Sequence, residues 1–180
     1  MTGRLVAVVG ASGVGKDSVM TALAETTPQI SLARRVITRP SDAGGEDFDG
    51  IGEAEFLARD AAGEFALSWS AHGLRYAIPD AVDVPLLAGH DVLANLSRSV
   101  LTQATARFEQ CEVLHLTASR EVLEQRLIAR GRESRADIMR RLDRTAGALP
   151  AGIKTHQIDN SGPLDLTVQA VIAALYPVRA

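Results

Sequence analysis

An uninterrupted apolar run, Leu5-Val6-Ala7-Val8-Val9, stands near the start of the chain and breaks at glycines. A short Val-rich run of this kind predicts a strand buried on both faces. Val19, Met20 and Leu23 follow at helical spacing, so strand, loop and helix succeed one another. Apolar strand patterns return at 91–96 and 112–117, each flanked by helical material. Residues 121–130 predict a helix with Val122, Leu123, Leu127 and Ile128 on its inner side. A weak strand at 155–159 precedes a helix carrying Leu164, Val168, Val171, Ile172 and Leu175. This alternation predicts an α/β fold, a parallel sheet with helices on both faces.

The segment from about 36 to 79 breaks the rhythm. It is poor in long helical periodicity and reads as an insertion. A basic stretch, Arg34-Arg35-Val36-Ile37-Thr38-Arg39-Pro40, leads into a Gly/Asp-rich loop over 41–52. Two short strands, 65–71 and 74–76, are predicted around a turn at His72-Gly73. No repeat, low-complexity tract or interdomain linker interrupts the pattern, so residues 1–180 are expected to form one domain.

Composition narrows the picture. With 46% hydrophobic and 23% charged residues, the 180-residue chain matches the globular average, which excludes disordered and fibrous classes. A net charge of −3 argues against a general nucleic-acid binder or a polybasic membrane binder. The single cysteine, Cys111, rules out an intramolecular disulfide and multi-cysteine metal sites, and is expected to pack as a small apolar side chain. No charged leader with an apolar stretch is seen, and 5–9 is far too short to span a bilayer, so a cytoplasmic protein is expected. No oligomeric state follows from the pattern. Only two of the 19 basic residues are lysines, Lys16 and Lys154.

Lys16 closes a motif. Gly10-Ala11-Ser12-Gly13-Val14-Gly15-Lys16 fits G-x-x-x-x-G-K in the strand–loop–helix setting it requires, with Asp17 and Ser18 next. Glycines there let backbone N–H groups converge on a phosphate at a helix N-terminus, and the lysine can reach the β/γ phosphates. Asp17 stands where Ser or Thr is usual. Its carboxylate could serve Mg²⁺, directly or through water, or cap the helix. The loop names a ligand class, nucleotide phosphates, and no reaction.

The remaining motifs supply the reaction. Ile37-Thr38-Arg39, Gly45-Glu46, Glu55-Phe56, Gly63-x-Phe65, Gly73-x-x-Tyr76, Arg126-Leu127-x-x-Arg130-Gly131 and Ile138-x-x-Arg141-Leu142 resemble the guanylate-kinase-like branch of phosphoryl-transfer enzymes. The resemblance implies an acceptor-binding flap at about 36–79 and an arginine-rich donor lid at about 130–145. It also implies acceptor contacts from Arg35, Arg39, Glu46 and Tyr76, and donor or transition-state contacts from Lys16, Arg130 and Arg141. Arg126, Arg132 and Arg135 are further candidates, although an arginine-rich helix is also an ordinary solvated face.

A pocket that reads guanine needs a carboxylate for its N–H donors. The branch's guanine-reading position falls at Leu67 or Ser68, and its later acidic pair is replaced by Asn95 and Ser97. Together with Gly15-Lys16-Asp17-Ser18, Gly44-Gly45-Glu46-Asp47, Ala71-His72-Gly73-Leu74 and Arg130-Gly131-Arg132-Glu133, this pattern closely resembles the ribose 1,5-bisphosphate phosphokinase family. That resemblance implies ATP and Mg²⁺, a small sugar-phosphate acceptor, and conversion of ribose 1,5-bisphosphate to 5-phosphoribosyl 1-diphosphate and ADP. Ala77 and Leu96 replace glycines commoner in the family and are expected to add bulk near the pocket. The main alternative is a guanylate or other nucleoside-monophosphate kinase. A non-catalytic module would not need Lys16 and the arginine lid, and a regulatory GTPase would need an Asn-Lys-x-Asp motif.

Overall fold

The computed structural model describes residues 2–41, 47–131, 134–142 and 148–177, apart from the side chain of Arg141. A five-stranded, all-parallel sheet runs β2 (Ile30–Leu32), β7 (Asp91–Asn95), β1 (Leu5–Gly10), β8 (Cys111–Thr117), β9 (Thr155–Asp159). The predicted apolar run is the central strand. Its residues alternate between two cores: Leu5, Ala7 and Val9 face one, Val6 and Val8 the other.

Helices cover both faces, as expected. α1 (Lys16–Thr26), α5 (Arg120–Arg130) and α7 (Leu164–Leu175) bury Val19, Leu23, Leu123, Val168 and Val171 on the Val6/Val8 side. α3 (Asp83–Leu87) and α4 (Leu101–Arg107) put Leu86, Leu101 and Ala104 on the other. Ser119 caps α5 by accepting from Val122 N–H, and Gly131 closes it in the left-handed conformation at φ 62°. α6 (Arg135–Leu142) follows, with Ile138 fully buried.

The inserted segment builds a second, mixed sheet in the order β4 (Phe48–Gly50), β3 (Arg35–Ile37), β6 (Leu74–Pro79), β5 (Phe65–Ala71). Its two faces have different tasks. Leu67, Trp69 and Ile78 pack toward the main core. Val36 and Ala77 face α2 (Glu53–Ala61), where Phe56 sits 4.9 Å from Phe65 between ring centroids.

Several expectations are corrected. The segment read as poor in long helical periodicity holds one short helix, α2, which left no stripe because Phe56 is its single buried residue. The three-residue strands β2 and β4 were likewise too short to show a pattern. In α5 only Leu123 and Leu127, four apart, are buried, whereas Ile128 is 48% exposed, having rotated off the stripe. Ala77 and Leu96 are both buried in cores, Ala77 on the α2 face and Leu96 in the main one.

At the N-terminal edge of the parallel sheet, Asp91 and Glu112 hold Arg4 between them, at 2.5 and 3.2 Å. Tyr176 donates to Asp91, while Lys154 and His156 approach Glu112 at 2.9 and 2.7 Å. Burial pushes the Glu112 carboxyl up, but the hydrogen bonds of Lys154 and His156 and the Arg4 charge outweigh it, leaving the group at about 2. This network clamps the starts of four strands to the end of α7. It leaves the opposite, C-terminal edge for ligands, where open α/β sheets bind them. Among the described residues, no helix is long and apolar enough to cross a membrane.

Candidate active site

The predicted phosphate loop leaves β1 at that C-terminal edge and enters α1. Gly13 and Gly15 adopt φ 86° and 94°, a region closed to most side chains, while Val14 between them is fully buried and roots the loop. Lys16 opens the helix and folds back, its Nζ donating to the carbonyls of Gly10 at 2.9 Å and Ala11 at 3.3 Å. That places the ammonium along the loop itself. Gly15 occupies the N-cap position of α1 without a side-chain cap.

Asp17 is therefore not the helix cap. It lies in the first turn of α1, and its Oδ1 accepts from Asn95 Nδ2 at 3.1 Å. Asn95 ends β7, and its own carbonyl accepts from Arg35 Nη1 at 3.2 Å. Arg35 reaches that point from the second sheet, with its guanidinium 5.3 Å from the centroid of Tyr76. Tyr76 in turn stacks on Trp69 at 5.5 Å and 13°. A continuous line thus runs from Trp69 through Tyr76, Arg35 and Asn95 to the carboxylate beside the loop.

Arg39 lies apart from this line. Its guanidinium covers the Phe48 ring at 4.3 Å, and it borders a cavity of about 540 Å³. Thr38, Gly52, Glu53 and Arg75 share that cavity, which neither Arg35, Tyr76 nor any phosphate-loop residue lines. The three described acceptor candidates are therefore not gathered at one point. Arg35 meets the Asn95 carbonyl with Tyr76 beside it, Arg39 borders the cavity, and Glu46 lies outside the described residues. Ser18 and Arg130 are exposed, and the side chain of Arg141 and the whole of Arg132 lie outside the described residues. Arg135 is exposed and pairs with Glu124 at 3.2 Å.

Three residues gain weight from the geometry. Arg126 donates through Nη1 to the carbonyl of Val14 at 3.2 Å, which brings α5 against the phosphate loop. Asn160, just past β9, donates to that same carbonyl at 2.7 Å. The pattern offered one hint of it: an Asn at the C-terminal end of a parallel strand, beside turn residues. Arg98, after β7, donates to His115 Nε2 at 2.9 Å, since a guanidinium can only donate. Burial first, then the Arg98 charge, holds His115 below its usual range.

The positions where the branch carries its guanine-reading carboxylates are occupied otherwise here. Leu67 is buried in the core, Ser68 is paired opposite Ala77, and Ser97 caps the short turn after β7 by accepting from Ser99 N–H. Among the described residues, no cluster of three or more His, Cys, Asp or Glu could hold a metal. A single carboxylate, Asp17, is still consistent with Mg²⁺, which takes one or two carboxylates and completes its shell with waters and substrate phosphates.

Comparisons with known proteins bear on the fold and the family. No family model matches the chain. The solved structure of guanylate kinase from Anaplasma phagocytophilum has the same fold, with a TM-score of 0.68 over 99% of this chain and 88% of that one at 17% identity. A gluconokinase from Sinorhizobium meliloti follows at TM-score 0.55 and 21% identity, covering 96% of this chain and 91% of that one. In sequence, the ribose 1,5-bisphosphate phosphokinase PhnN of a Ruegeria species is 49% identical over 96% of this chain and 93% of its own. The protein of the same name from Pseudomonas fluorescens is 47% identical over 97% and 96%. With identity this high along nearly the whole of both chains, the protein belongs to the ribose 1,5-bisphosphate phosphokinase family.

Proposed function

We propose that the protein transfers the γ-phosphoryl group of ATP to a phosphate already carried by ribose 1,5-bisphosphate, giving 5-phosphoribosyl 1-diphosphate and ADP in the cytoplasm. The observation that carries this reading is the line from Arg35 through Asn95 to Asp17. Arg35, which this reading assigns to the acceptor, donates to the Asn95 carbonyl, and Asn95 donates to the Asp17 carboxylate. An acceptor that is all sugar and phosphate needs cations and no base reader, which agrees with the uncharged side chains at Leu67, Ser68 and Ser97.

The loop N–H groups and Lys16 would bind the donor's β and γ phosphates and follow the charge as it shifts to the leaving ADP. Asp17, oriented by Asn95, would hold Mg²⁺ through water or directly, and that ion neutralises phosphate charge when bound. Arg35 and Arg39 would hold the acceptor's anionic groups. In the reaction, an oxygen of the acceptor's C1 phosphate forms the new P–O bond as the γ-to-β bridging bond breaks. The acceptor oxygen is already anionic near neutral pH, so no general base is required. We retain the segment at about 36–79 as the acceptor flap and that at about 130–145 as the lid, with Arg130 and Arg141 closing on the donor and excluding water. Both stay on one 1–180 domain in this reading.

The test is a coupled ADP-release assay offering ribose 1,5-bisphosphate, GMP, AMP and UMP in parallel. Turnover confined to the bisphosphate is expected. Robust turnover of GMP with none of the bisphosphate would overturn the reading in favour of a nucleoside-monophosphate kinase.

A further inference from the structure

Asn160 has no place in the chemistry described so far, yet it is one of the few buried polar residues, at 3% exposure. Both ends of its amide are committed inside the protein. Thr167 Oγ1, itself on a residue 3% exposed in α7, donates to Oδ1 at 2.7 Å. Nδ2 donates to the Val14 carbonyl at 2.7 Å, and the backbone N–H is fixed to the Thr117 carbonyl at 2.7 Å. The Val14 carbonyl settles which way the amide faces: it can only accept, so the NH₂ meets the loop and Oδ1 turns to the Thr167 hydroxyl.

We propose that Asn160, set by Thr167, is a positioning residue that aims the phosphate loop at the donor. The peptide between Val14 and Gly15 is planar, and its carbonyl and N–H point in opposite directions. Anchoring the Val14 oxygen outward on Asn160 therefore turns the Gly15 N–H the other way, into the concavity of the loop. Arg126 approaches the same oxygen at 3.2 Å, so the carbonyl is held from two elements. The packing is tight: a Cβ on Gly15 would lie 2.7 Å from Asn160 Nδ2, so the glycine is needed for the amide to reach. The signal travels from α7 through one side chain to one peptide plane. A pre-aimed N–H spends no binding energy on reorganisation when phosphate arrives.

This inference rests on the reading of the loop as a donor-phosphate site, and the experiment separates the two. Calorimetry would titrate ATP, and separately inorganic tripolyphosphate, into wild type, Asn160→Ala and Thr167→Val, with Mg²⁺ present and well below each melting temperature. Binding of both probes to wild type is expected, with about tenfold weaker binding of both to Asn160→Ala and about threefold to Thr167→Val. If wild type binds neither, the reading of the loop fails. If wild type binds both and Asn160→Ala binds them equally well, whatever its melting temperature, Asn160 only supports the fold and the inference is overturned. If Asn160→Ala loses ATP affinity but keeps that for tripolyphosphate, Asn160 acts on the nucleoside and the positioning role is likewise overturned. A variant that does not fold shifts the same comparison to Thr167→Val, which removes only the hydroxyl's hydrogen bond and keeps the side-chain shape.

Discussion

Replacing Lys16 with Met removes one charge while keeping a long, flexible, apolar stem. The structure lets the two consequences be weighed separately. For stability, Nζ makes hydrogen bonds of 2.9 and 3.3 Å to carbonyls on a half-exposed loop. Such bonds contribute about 1 kcal/mol or less net, because water competes for both partners. For a chain of this size that corresponds to a melting-temperature decrease of about 2–4 °C. For catalysis, a unit charge pair at about 4 Å is worth about 4 kcal/mol at an effective dielectric near 20. Only the part gained between ground and transition state lowers the barrier, so a loss of roughly 10²–10³-fold in kcat is expected, as for one preorganised donor in other active sites. Catalysis should fall steeply and the fold should barely notice. The assay is ADP release at saturating ribose 1,5-bisphosphate, paired with a thermal melt. A Lys16→Met enzyme with kcat within about twofold of wild type would refute the charge-placement argument. A melting-temperature fall of more than about 10 °C would refute the other half, showing that the lysine holds the loop's structure.

The other predictions concern neighbouring groups. Asp17→Asn keeps an oxygen to accept from Asn95, and Gly15 is the N-cap of α1, so thermal stability should change by less than about 1 kcal/mol, while apparent Mg²⁺ affinity and kcat fall. Unchanged Mg²⁺ dependence would remove Asp17 from the metal's shell. Glu112 titrates from an ordinary value of 4.5 when unfolded to about 2 when folded, so its contribution is complete above 4.5 and is lost as pH falls toward 2. Wild type should therefore lose on the order of 1–3 kcal/mol from this group over that interval, and Glu112→Gln should show a flatter acid limb in chemical denaturation. Burial, with some help from Glu112, raises the Cys111 thiol to about 11. Alkylation by iodoacetamide at pH 8 should accordingly be slow in the native protein and fast in urea, and equal rates would contradict the burial.

What the sequence made legible follows the length of each signal. The Leu5–Gly10 strand, the glycine loop and α1 were all readable because a buried parallel strand is a continuous apolar run and a phosphate loop has fixed glycine positions. The Gly131 break after α5 was readable for a similar reason, since a left-handed C-cap favours glycine. The second sheet was half hidden. β5 and β6 alternate over enough residues to show, but β3 and β4 span three residues each, below any period. α2 buries Phe56 alone, and its other positions face solvent or the neighbouring sheet's edge.

The site divides along the same line between local and long-range information. Lys16 and Asp17 sit in a contiguous motif, so their chemistry could be argued from spacing. The roles of Arg35 and Asn95 depend on β3 and β7 meeting across 60 residues of chain, and that of Asn160 depends on a contact across 146. A hydrogen bond over such a separation leaves no periodicity in the sequence; it is set by which strands become neighbours. Strand order also shows why these residues converge. β7 and β8 flank β1, and β9 pairs with β8, so the ends of all four strands surround the loop. Two polar residues at those ends touch the loop or the residue after Lys16: Asn160 meets the Val14 carbonyl and Asn95 meets Asp17. Both are uncharged, and each uses its NH₂ group there: one holds a carboxylate and the other a carbonyl, without adding charge beside the site proposed for a polyanion.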